Sequence, residues 1–218
     1  MLRAAALVAG AYLLGGVPVG LLVGRAKGVD LRLHGSGNIG ATNAGRVLGR
    51  RYGILVFVLD AGKGAACTLL AGWLAPPEIR ANPTYRDALW LAAAMAAVIG
   101  NIASIFLSFR GGKGVGTSLG AVLGIYPYLT FPGVLAGVVW LIVAAIGRYV
   151  SLASIAAVSA LPLLFVGLSF VVDWRVREHL LLLLLCVVIA GLVLIRHKDN
   201  ISRLLSGTEN RIGGPRHS

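Results

Sequence analysis

Long apolar runs alternate along this chain with short polar segments that are rich in glycine and basic residues. Three runs, at residues 4–24, 88–109 and 150–172, carry no charged side chain and are long enough to cross a bilayer as helices. Two more apolar runs, at 53–75 and 179–195, have comparable lengths. The pattern predicts an all-α integral membrane protein.

One apolar run is too long for a single crossing. Residues 114–147 are uncharged, whereas one crossing needs about 20 residues. Prolines near the middle of this run, Pro127 and Pro132, favour a break into two helices. We therefore predict a single membrane domain, a compact bundle of seven transmembrane helices at about 4–24, 53–75, 88–109, 114–127, 131–147, 150–172 and 179–195.

Basic residues are distributed unequally among the polar segments. Most arginines and lysines lie in segments 25–51, 109–117 and 196–218, and few lie in 76–87 or 173–178. Because basic residues favour the cytoplasmic side of a membrane, we expect the N-terminus outside and the C-terminal tail in the cytoplasm. The glycine-rich motifs then share the cytoplasmic face.

Composition agrees with a membrane protein and excludes several other classes. Hydrophobic residues make up 57% of the 218 positions, and the mean hydropathy is +0.85. The net charge is +12, and the basic residues that produce it flank the apolar runs and form no soluble basic face. We therefore expect no nucleic-acid partner. Cys67 and Cys186 lie in apolar runs without metal-ligand spacing. We expect no metal and no cofactor, and a monomer in the lipid bilayer.

The segment from His34 to Arg46 is a glycine-rich loop that suits an anion. Glycines let successive backbone amides point the same way, and the arginine at its end can close on a phosphate. The embedded GxGxxG pattern lacks the strand and βαβ unit of a dinucleotide site, and a mobile connector is the remaining alternative. The predicted phosphate contacts in this loop are Gly35, Gly37, Asn38, Gly40, Thr42 and Asn43.

A second loop, FRGGKGVGT at 109–117, places Lys113 among glycines at the start of a helix. Free amides at a helix N-terminus together with a lysine are suited to binding phosphate. The loop is not a Walker A motif, because Gly114 stands where serine or threonine should follow the lysine. The alternative is a turn whose basic residues only set the orientation of the protein in the membrane. The predicted phosphate contacts here are Gly111, Gly112 and Gly114.

Two ionisable residues lie inside a predicted membrane helix. Asp60 and Lys63 are three positions apart, so they share one helical face, and such groups are costly in lipid unless paired or functional. They form either a structural ion pair or a phosphate site in which Asp60 supports Lys63. We include Lys63 among the predicted phosphate ligands.

Five motifs occur in order along the chain: GSGNIGATNAGR at 35–46, LDAGKG at 59–64, FRGGKGVGT at 109–117, RYVSL at 148–152 and HKDNISRLLSGTE at 197–209. Together they resemble the signatures of the bacterial acyl-phosphate:glycerol-3-phosphate acyltransferase family, PlsY. The chain departs from the usual pattern at Asn101 and Ser104, where similar family members have histidine and proline. The resemblance implies a seven-helix enzyme of the inner membrane with a cytoplasmic active site. It carries catalytic roles onto Ser36, Arg46, Lys113, Ser151, His197 and Asn200.

The resemblance also implies a reaction. Acyl phosphate and sn-glycerol 3-phosphate would give 1-acylglycerol 3-phosphate (lysophosphatidic acid) and phosphate, the first acylation of phospholipid synthesis. An acyl phosphate is already activated, so hydrogen-bond donors and cations suffice for the transfer. We expect a phosphate oxygen of the substrate to accept the proton, with His197 as the alternative base.

Two other functions fit parts of the sequence. A membrane carrier for a phosphorylated metabolite would use the same cationic mouth, but the predicted helices are almost free of charge apart from Asp60 and Lys63. A scaffold for other lipid enzymes would be inert with both substrates.

Overall fold

The computed structural model describes residues 1–172 and 174–213, which form helices and loops with no β-strand among them. Asp173 and residues 214–218, the end of the expected tail, lie outside the described residues. The α-helices of the described residues are α1 (Leu2–Gly16), α2 (Val19–Arg25), α3 (Ala41–Leu48), α4 (Arg50–Leu74), α5 (Pro77–Ala81), α6 (Pro83–Ile102), α7 (Val115–Leu123), α8 (Thr130–Gly147), α9 (Val150–Ser169), α10 (Leu180–Arg196) and α11 (Lys198–Leu205).

Six helical segments of the described chain are long and apolar enough to cross a membrane. They are Leu2–Arg25, Arg50–Leu74, Pro83–Leu107, Thr130–Gly147, Val150–Ser169 and Val176–Arg196. The seventh expected helix corresponds to α7, which has only 9 residues. The protein is therefore a multi-pass helical membrane protein with six full-length candidate spans and a shorter helix among them.

The first apolar run is not one continuous helix as expected over 4–24, because it breaks at Val17 and Pro18. Proline supplies no amide N–H, so carbonyl groups at the break lose helical partners. Ser104 Oγ donates to the Gly16 carbonyl over 2.6 Å, and Lys63 Nζ donates to the Val17 carbonyl over 2.9 Å. Side chains from α4 and from the segment just after α6 thus satisfy the break.

Other boundaries also differ from those expected. The segment 25–51 is not a continuous loop, because α3 forms within it. The third run leaves the α-helix at Ile102, and not at 109, because backbone amides of the second glycine loop bond to the end of α6. Gly111 N–H donates to the Ile102 carbonyl over 2.9 Å, and Gly112 N–H donates to the Asn101 carbonyl over 3.0 Å. The loop is thereby fixed to α6.

Glycine allows α4 and α7 to pack with their backbones in contact. A Cβ atom placed on Gly64 of α4 would lie 2.9 Å from the Ala121 nitrogen of α7 and would overlap the Thr117 carbonyl. In lipid, where packing replaces much of the hydrophobic drive, such small residues stabilise helix pairs. This contact holds the start of α7, and with it the loop that precedes α7.

The two ends of the bundle have different chemistry. The loop end, defined here by residues 26–40, 103–114 and 197–213, carries both glycine loops and the tail. At the opposite end, the imidazole of His179 lies 2.6 Å from the Asp87 carboxylate, and both side chains are buried. The Tyr128 ring packs against His179 with 4.1 Å between ring centroids. This polar contact links three separate segments far from the glycine loops.

Candidate functional site

Four polar side chains from three helix ends meet at the loop end. Lys113, just before α7, donates to Asn200 Oδ1 of α11. Asn200 Nδ2 donates to Glu209 Oε1 over 2.8 Å, and Ser151 Oγ at the start of α9 donates to the same oxygen over 2.9 Å. We call this connected set, Lys113, Ser151, Asn200 and Glu209, the Lys113 cluster. It joins the second glycine loop, α9 and the tail.

Glu209 is the member of the cluster that the sequence did not single out. Its carboxylate also accepts from Arg203 Nε over 2.7 Å. Burial favours a higher pKa, but the hydrogen bonds from Arg203, Asn200 and Ser151 outweigh it and hold the pKa of Glu209 below its usual range. The residue closes the HKDNISRLLSGTE motif as a lone acid after a Gly-Thr pair, which was the only sequence signal available.

Lys113 is partly enclosed and has no carboxylate within ion-pair distance among the described residues. Burial, the largest influence, lowers its pKa to about 8, although the charge of Glu209 acts in the opposite direction. Its ammonium group bonds instead to a neutral amide oxygen. An enclosed cation without a direct counter-ion is suited to binding an anion.

His197 is buried beside the cluster, between α10 and α11. Its Nδ1 lies 2.7 Å from the Val193 carbonyl. A carbonyl oxygen only accepts, so Nδ1 carries the hydrogen and Nε2 keeps a free lone pair. Burial, assisted by the charge of Lys113, lowers the pKa of His197. The residue therefore presents a neutral imidazole with an acceptor nitrogen at neutral pH.

The first glycine loop folds around one buried asparagine. Asn43 Oδ1 accepts from the Ser36 amide over 2.9 Å, and Nδ2 donates to the carbonyls of Leu31 and His34 over 3.1 and 3.0 Å. Gly35 adopts a left-handed φ of 62°, which favours glycine. Because both amide hydrogens are donated within the loop, Asn43 braces the loop, and its contact with phosphate stays a prediction.

Other polar groups of this loop are free for a ligand. The side chains of Ser36, Thr42 and Arg46 form no hydrogen bond or ion pair within residues 1–172 and 174–213. Asn38 Oδ1 accepts from the Gly40 amide over 2.8 Å and so fixes the entry into α3, which carries Arg46. The loop thus combines a fixed backbone with unoccupied donors.

The two glycine loops lie next to each other. A Cβ atom on Gly112 would lie 3.2 Å from Asn101 Oδ1 and 4.0 Å from Asn38 Oδ1. A Cβ atom on Gly111 would overlap the Asn101 carbonyl, and Gly114 has a φ of 79°. These glycines allow the second loop to pass close to α6 and to the first loop.

Lys63 does not join this site. Its side chain is buried, its ammonium lies 2.7 Å from the Asp60 carboxylate, and its hydrogen bond goes to the Val17 carbonyl. The structural ion pair, one of the two readings left open by the sequence, accounts for these contacts. The contacts favour the structural ion pair, and the role of Lys63 as a phosphate ligand with Asp60 as its support stays a prediction.

Comparisons with known proteins match almost the full length of the chain to glycerol-3-phosphate acyltransferases. A family model described as glycerol-3-phosphate acyltransferase matches residues 5–207. A glycerol-3-phosphate acyltransferase of Geotalea daltonii is 46% identical over 205 residues, which is 94% of this chain and 95% of the relative.

Two crystal structures of the integral membrane glycerol 3-phosphate acyltransferase PlsY match the fold. The glycerol 3-phosphate form has a TM-score of 0.80 and 40% identity, and the match covers 96% of each chain. The lysophosphatidic acid form has a TM-score of 0.78 and 38% identity, with 95% of this chain and 94% of that one covered. These values confirm the resemblance drawn from the five sequence motifs.

Proposed function

The chain belongs to the PlsY family of glycerol-3-phosphate acyltransferases and is an integral membrane enzyme of phospholipid synthesis, and from this premise we propose that its acyl donor is acyl phosphate. The acyl group is transferred to the 1-hydroxyl of sn-glycerol 3-phosphate. The products are 1-acylglycerol 3-phosphate and inorganic phosphate.

The observation that supports this reaction best is the Lys113 cluster beside two glycine loops. Both substrates carry phosphate, so the site needs two anion-binding regions close together. The enclosed ammonium of Lys113 and the free donors of Ser36, Thr42 and Arg46 supply them. The backbone amides of Gly35 and Gly114 and the amide of Asn38 are further proposed phosphate contacts. The amides of Gly37, Gly40, Gly111 and Gly112 already donate within the protein, so their proposed contacts to phosphate require them to exchange these partners for the ligand.

We assign glycerol 3-phosphate to the region of Lys113. The loop there is short and precedes a helix N-terminus, which suits a small soluble anion. The hydroxyl of Ser151 and the amide of Asn200 adjoin the lysine and orient the bound molecule. Both are held in place by Glu209, which we place among the positioning residues.

We assign acyl phosphate to the longer first loop. Ser36 and Arg46 donate to the acyl carbonyl and to the departing phosphate, where negative charge grows in the transition state. Donors that strengthen as charge develops accelerate the transfer more than they tighten substrate binding.

The proton of the attacking hydroxyl passes to a phosphate oxygen of the substrate. His197 has an acceptor nitrogen in the site, so it can receive the hydrogen bond of that hydroxyl and align it for attack. No carboxylate of the described residues bonds to the imidazole, and burial lowers its pKa, so its basicity is modest. Its proposed role is orientation.

The proposed topology has seven crossings, with α7 as the shortest helix and the N-terminus outside. The loop end then faces the cytoplasm of a bacterium, where glycerol 3-phosphate is available, and the protein lies in the inner membrane as a monomer. Basic residues concentrated at the loop end support this orientation. The acyl chain reaches the site from the surrounding lipid.

A donor comparison tests the proposal. Purified protein is incubated with labelled glycerol 3-phosphate and either acyl phosphate, acyl-CoA or acyl-acyl carrier protein, and lipid product is quantified. We expect product with acyl phosphate alone, because the described residues offer no nucleotide-binding element for coenzyme A. Comparable turnover with acyl-CoA would overturn the donor assignment. Counterflow of glycerol 3-phosphate in liposomes without any donor would favour a carrier.

A further inference from the structure

A cationic pocket beside the Lys113 cluster shares Gly37, Asn38 and Gly111 with the proposed phosphate contacts, but its arginines have no role in the transfer proposed above. Its volume is about 410 Å³, and three arginines from separate segments line it, Arg32, Arg110 and Arg196. Asn38 of the first glycine loop and Gly111 of the second also line it, so it adjoins the site. We call it the arginine pocket.

The three arginines differ in how their charge is compensated. Arg32 pairs with Asp30 at 2.6 Å. Arg196 donates to the Gly112 carbonyl over 3.2 Å, which fixes its position but neutralises no charge. The exposed side chain of Arg110 forms no hydrogen bond or ion pair within the described part of the chain. Two positive charges are therefore uncompensated, and a dianion fits them.

One edge of the arginine pocket is apolar. Phe109 and Leu107 line it, and the Phe109 ring is 64% exposed. Ser108 and Phe109 both have left-handed backbones, with φ of 49° and 63°, which is unfavourable for residues other than glycine. Because the Phe109 ring is largely exposed, its burial does not compensate for the unfavourable backbone conformation of this turn. The same turn also exposes the large apolar side chains of Ile105 and Phe106.

A pocket that joins two uncompensated cations to an apolar edge suits an amphiphilic anion. We propose that the arginine pocket binds the phosphate monoester headgroup of a single-chain lipid, whose acyl chain runs past Phe109 into the bilayer. A phosphate monoester is largely dianionic at neutral pH and accepts the planar donors of arginine.

The lipid that carries this headgroup is the product, 1-acylglycerol 3-phosphate. The pocket is its exit site between the Lys113 cluster and the membrane. The identity of the lipid rests on the proposed function, whereas the headgroup chemistry rests on the pocket. Glycerol 3-phosphate has the same phosphate but no chain for the apolar edge.

Equilibrium dialysis of a short-chain lysophosphatidic acid against protein in nanodiscs of zwitterionic lipid tests the proposal without turnover. Arg110→Gln removes one uncompensated charge, and Phe109→Ser removes the apolar edge. We expect each to weaken binding about tenfold, Arg110→Gln through one lost charge-assisted contact and Phe109→Ser through lost burial of the acyl chain. Lysophosphatidylcholine of the same chain length, which lacks the dianion, should bind weakly to every variant. Arg50→Gln is the matched control, because Arg50 is exposed at the start of α4 and does not line the pocket.

Kinetics separate the pocket from the substrate sites. Arg110→Gln should raise the product-inhibition constant by a similar factor and leave the KM for glycerol 3-phosphate unchanged. A raised KM for glycerol 3-phosphate with unchanged lysophosphatidic acid binding would overturn the proposal and make the pocket an entry site for soluble substrate. Equal effects of Arg50→Gln and Arg110→Gln would also overturn it. Failure of the wild type with acyl phosphate would refute the proposed donor but leave the binding result intact.

Discussion

Ser151 and Glu209 are 58 positions apart in sequence, and the hydroxyl of Ser151 donates to the carboxylate of Glu209 over 2.9 Å. The contact fastens the tail onto the start of α9. The same carboxylate receives Asn200 and Arg203, so one acid holds three side chains of the site region in position.

Glu209→Ala should therefore lower both stability and activity. Removing the carboxylate leaves Ser151 and Asn200 without their partner in a buried position, which costs about 2 kcal/mol. We expect a lower apparent Tm in detergent together with reduced kcat. Glu209→Gln, which keeps the acceptor oxygen, should lose less than Glu209→Ala. An unchanged Tm for Glu209→Ala would contradict the positioning role.

Lowering the pH should weaken the contacts of the Glu209 carboxylate, because the carboxylate becomes protonated. The pKa of Glu209 is held below its unfolded value, so its contribution to stability is present above that value and is lost as pH falls through the folded pKa. We expect the difference in Tm between wild type and Glu209→Gln to shrink on acidification. A difference that is independent of pH would show that charge plays no part.

Substitution of Lys113 tests the assignment of glycerol 3-phosphate. Lys113→Ala should raise the KM for glycerol 3-phosphate about tenfold or more, because a charge-assisted contact to phosphate is lost. Ser36→Ala and Arg46→Ala should mainly lower kcat, since their contacts strengthen in the transition state. Weaker acyl phosphate binding in Lys113→Ala, with unchanged glycerol 3-phosphate saturation, would reverse the assignment.

The pH dependence of glycerol 3-phosphate binding should report the Lys113 ammonium. Its pKa of about 8 means that the charge is present below that pH and disappears above it. The second pKa of a phosphate monoester is about 6, so the substrate charge does not change in this range. The KM should therefore rise by up to about tenfold per pH unit above pH 8. Lys113→Arg, which stays charged, should show a higher KM that is flat with pH.

Lys63 should affect stability and not substrate binding. Lys63→Met leaves the Asp60 carboxylate buried without its partner and the Val17 carbonyl without a donor, which costs about 3 kcal/mol. The apparent Tm should fall while the KM for glycerol 3-phosphate stays constant. The double variant Asp60→Asn/Lys63→Met is the control and should recover part of the Tm. A raised KM at unchanged Tm would restore Lys63 as a phosphate ligand.

The sequence predicted the family and helical membrane class because both depend on features that lie along the chain. Apolar length identifies candidate spans, and short motifs carry the resemblance whatever their surroundings. The break at Pro18 was missed because hydropathy does not register a lost backbone hydrogen bond. It is stabilised by Ser104 and Lys63, which come from distant parts of the chain.

Side-chain roles were harder to predict because they depend on partners from distant parts of the chain. Asn43 is predicted to contact phosphate, yet the folded loop also uses both of its amide hydrogens for backbone carbonyls. Glu209 was not among the predicted site residues, because its role depends on Ser151 and Arg203, which converge on it only in the folded protein. The composition of a loop can indicate anion binding, but it does not show which side chains form hydrogen bonds within the loop.

The spread of the Lys113 cluster along the chain has a consequence for biosynthesis. Its contacts join residues 113 and 200, which are 87 positions apart, and extend to residue 209. Every α-helix of the described residues precedes Glu209, so a ribosome has translated all of them before the cluster can close. We therefore expect nascent chains that have inserted their membrane spans to remain inactive until Asn200 and Glu209 have left the ribosome.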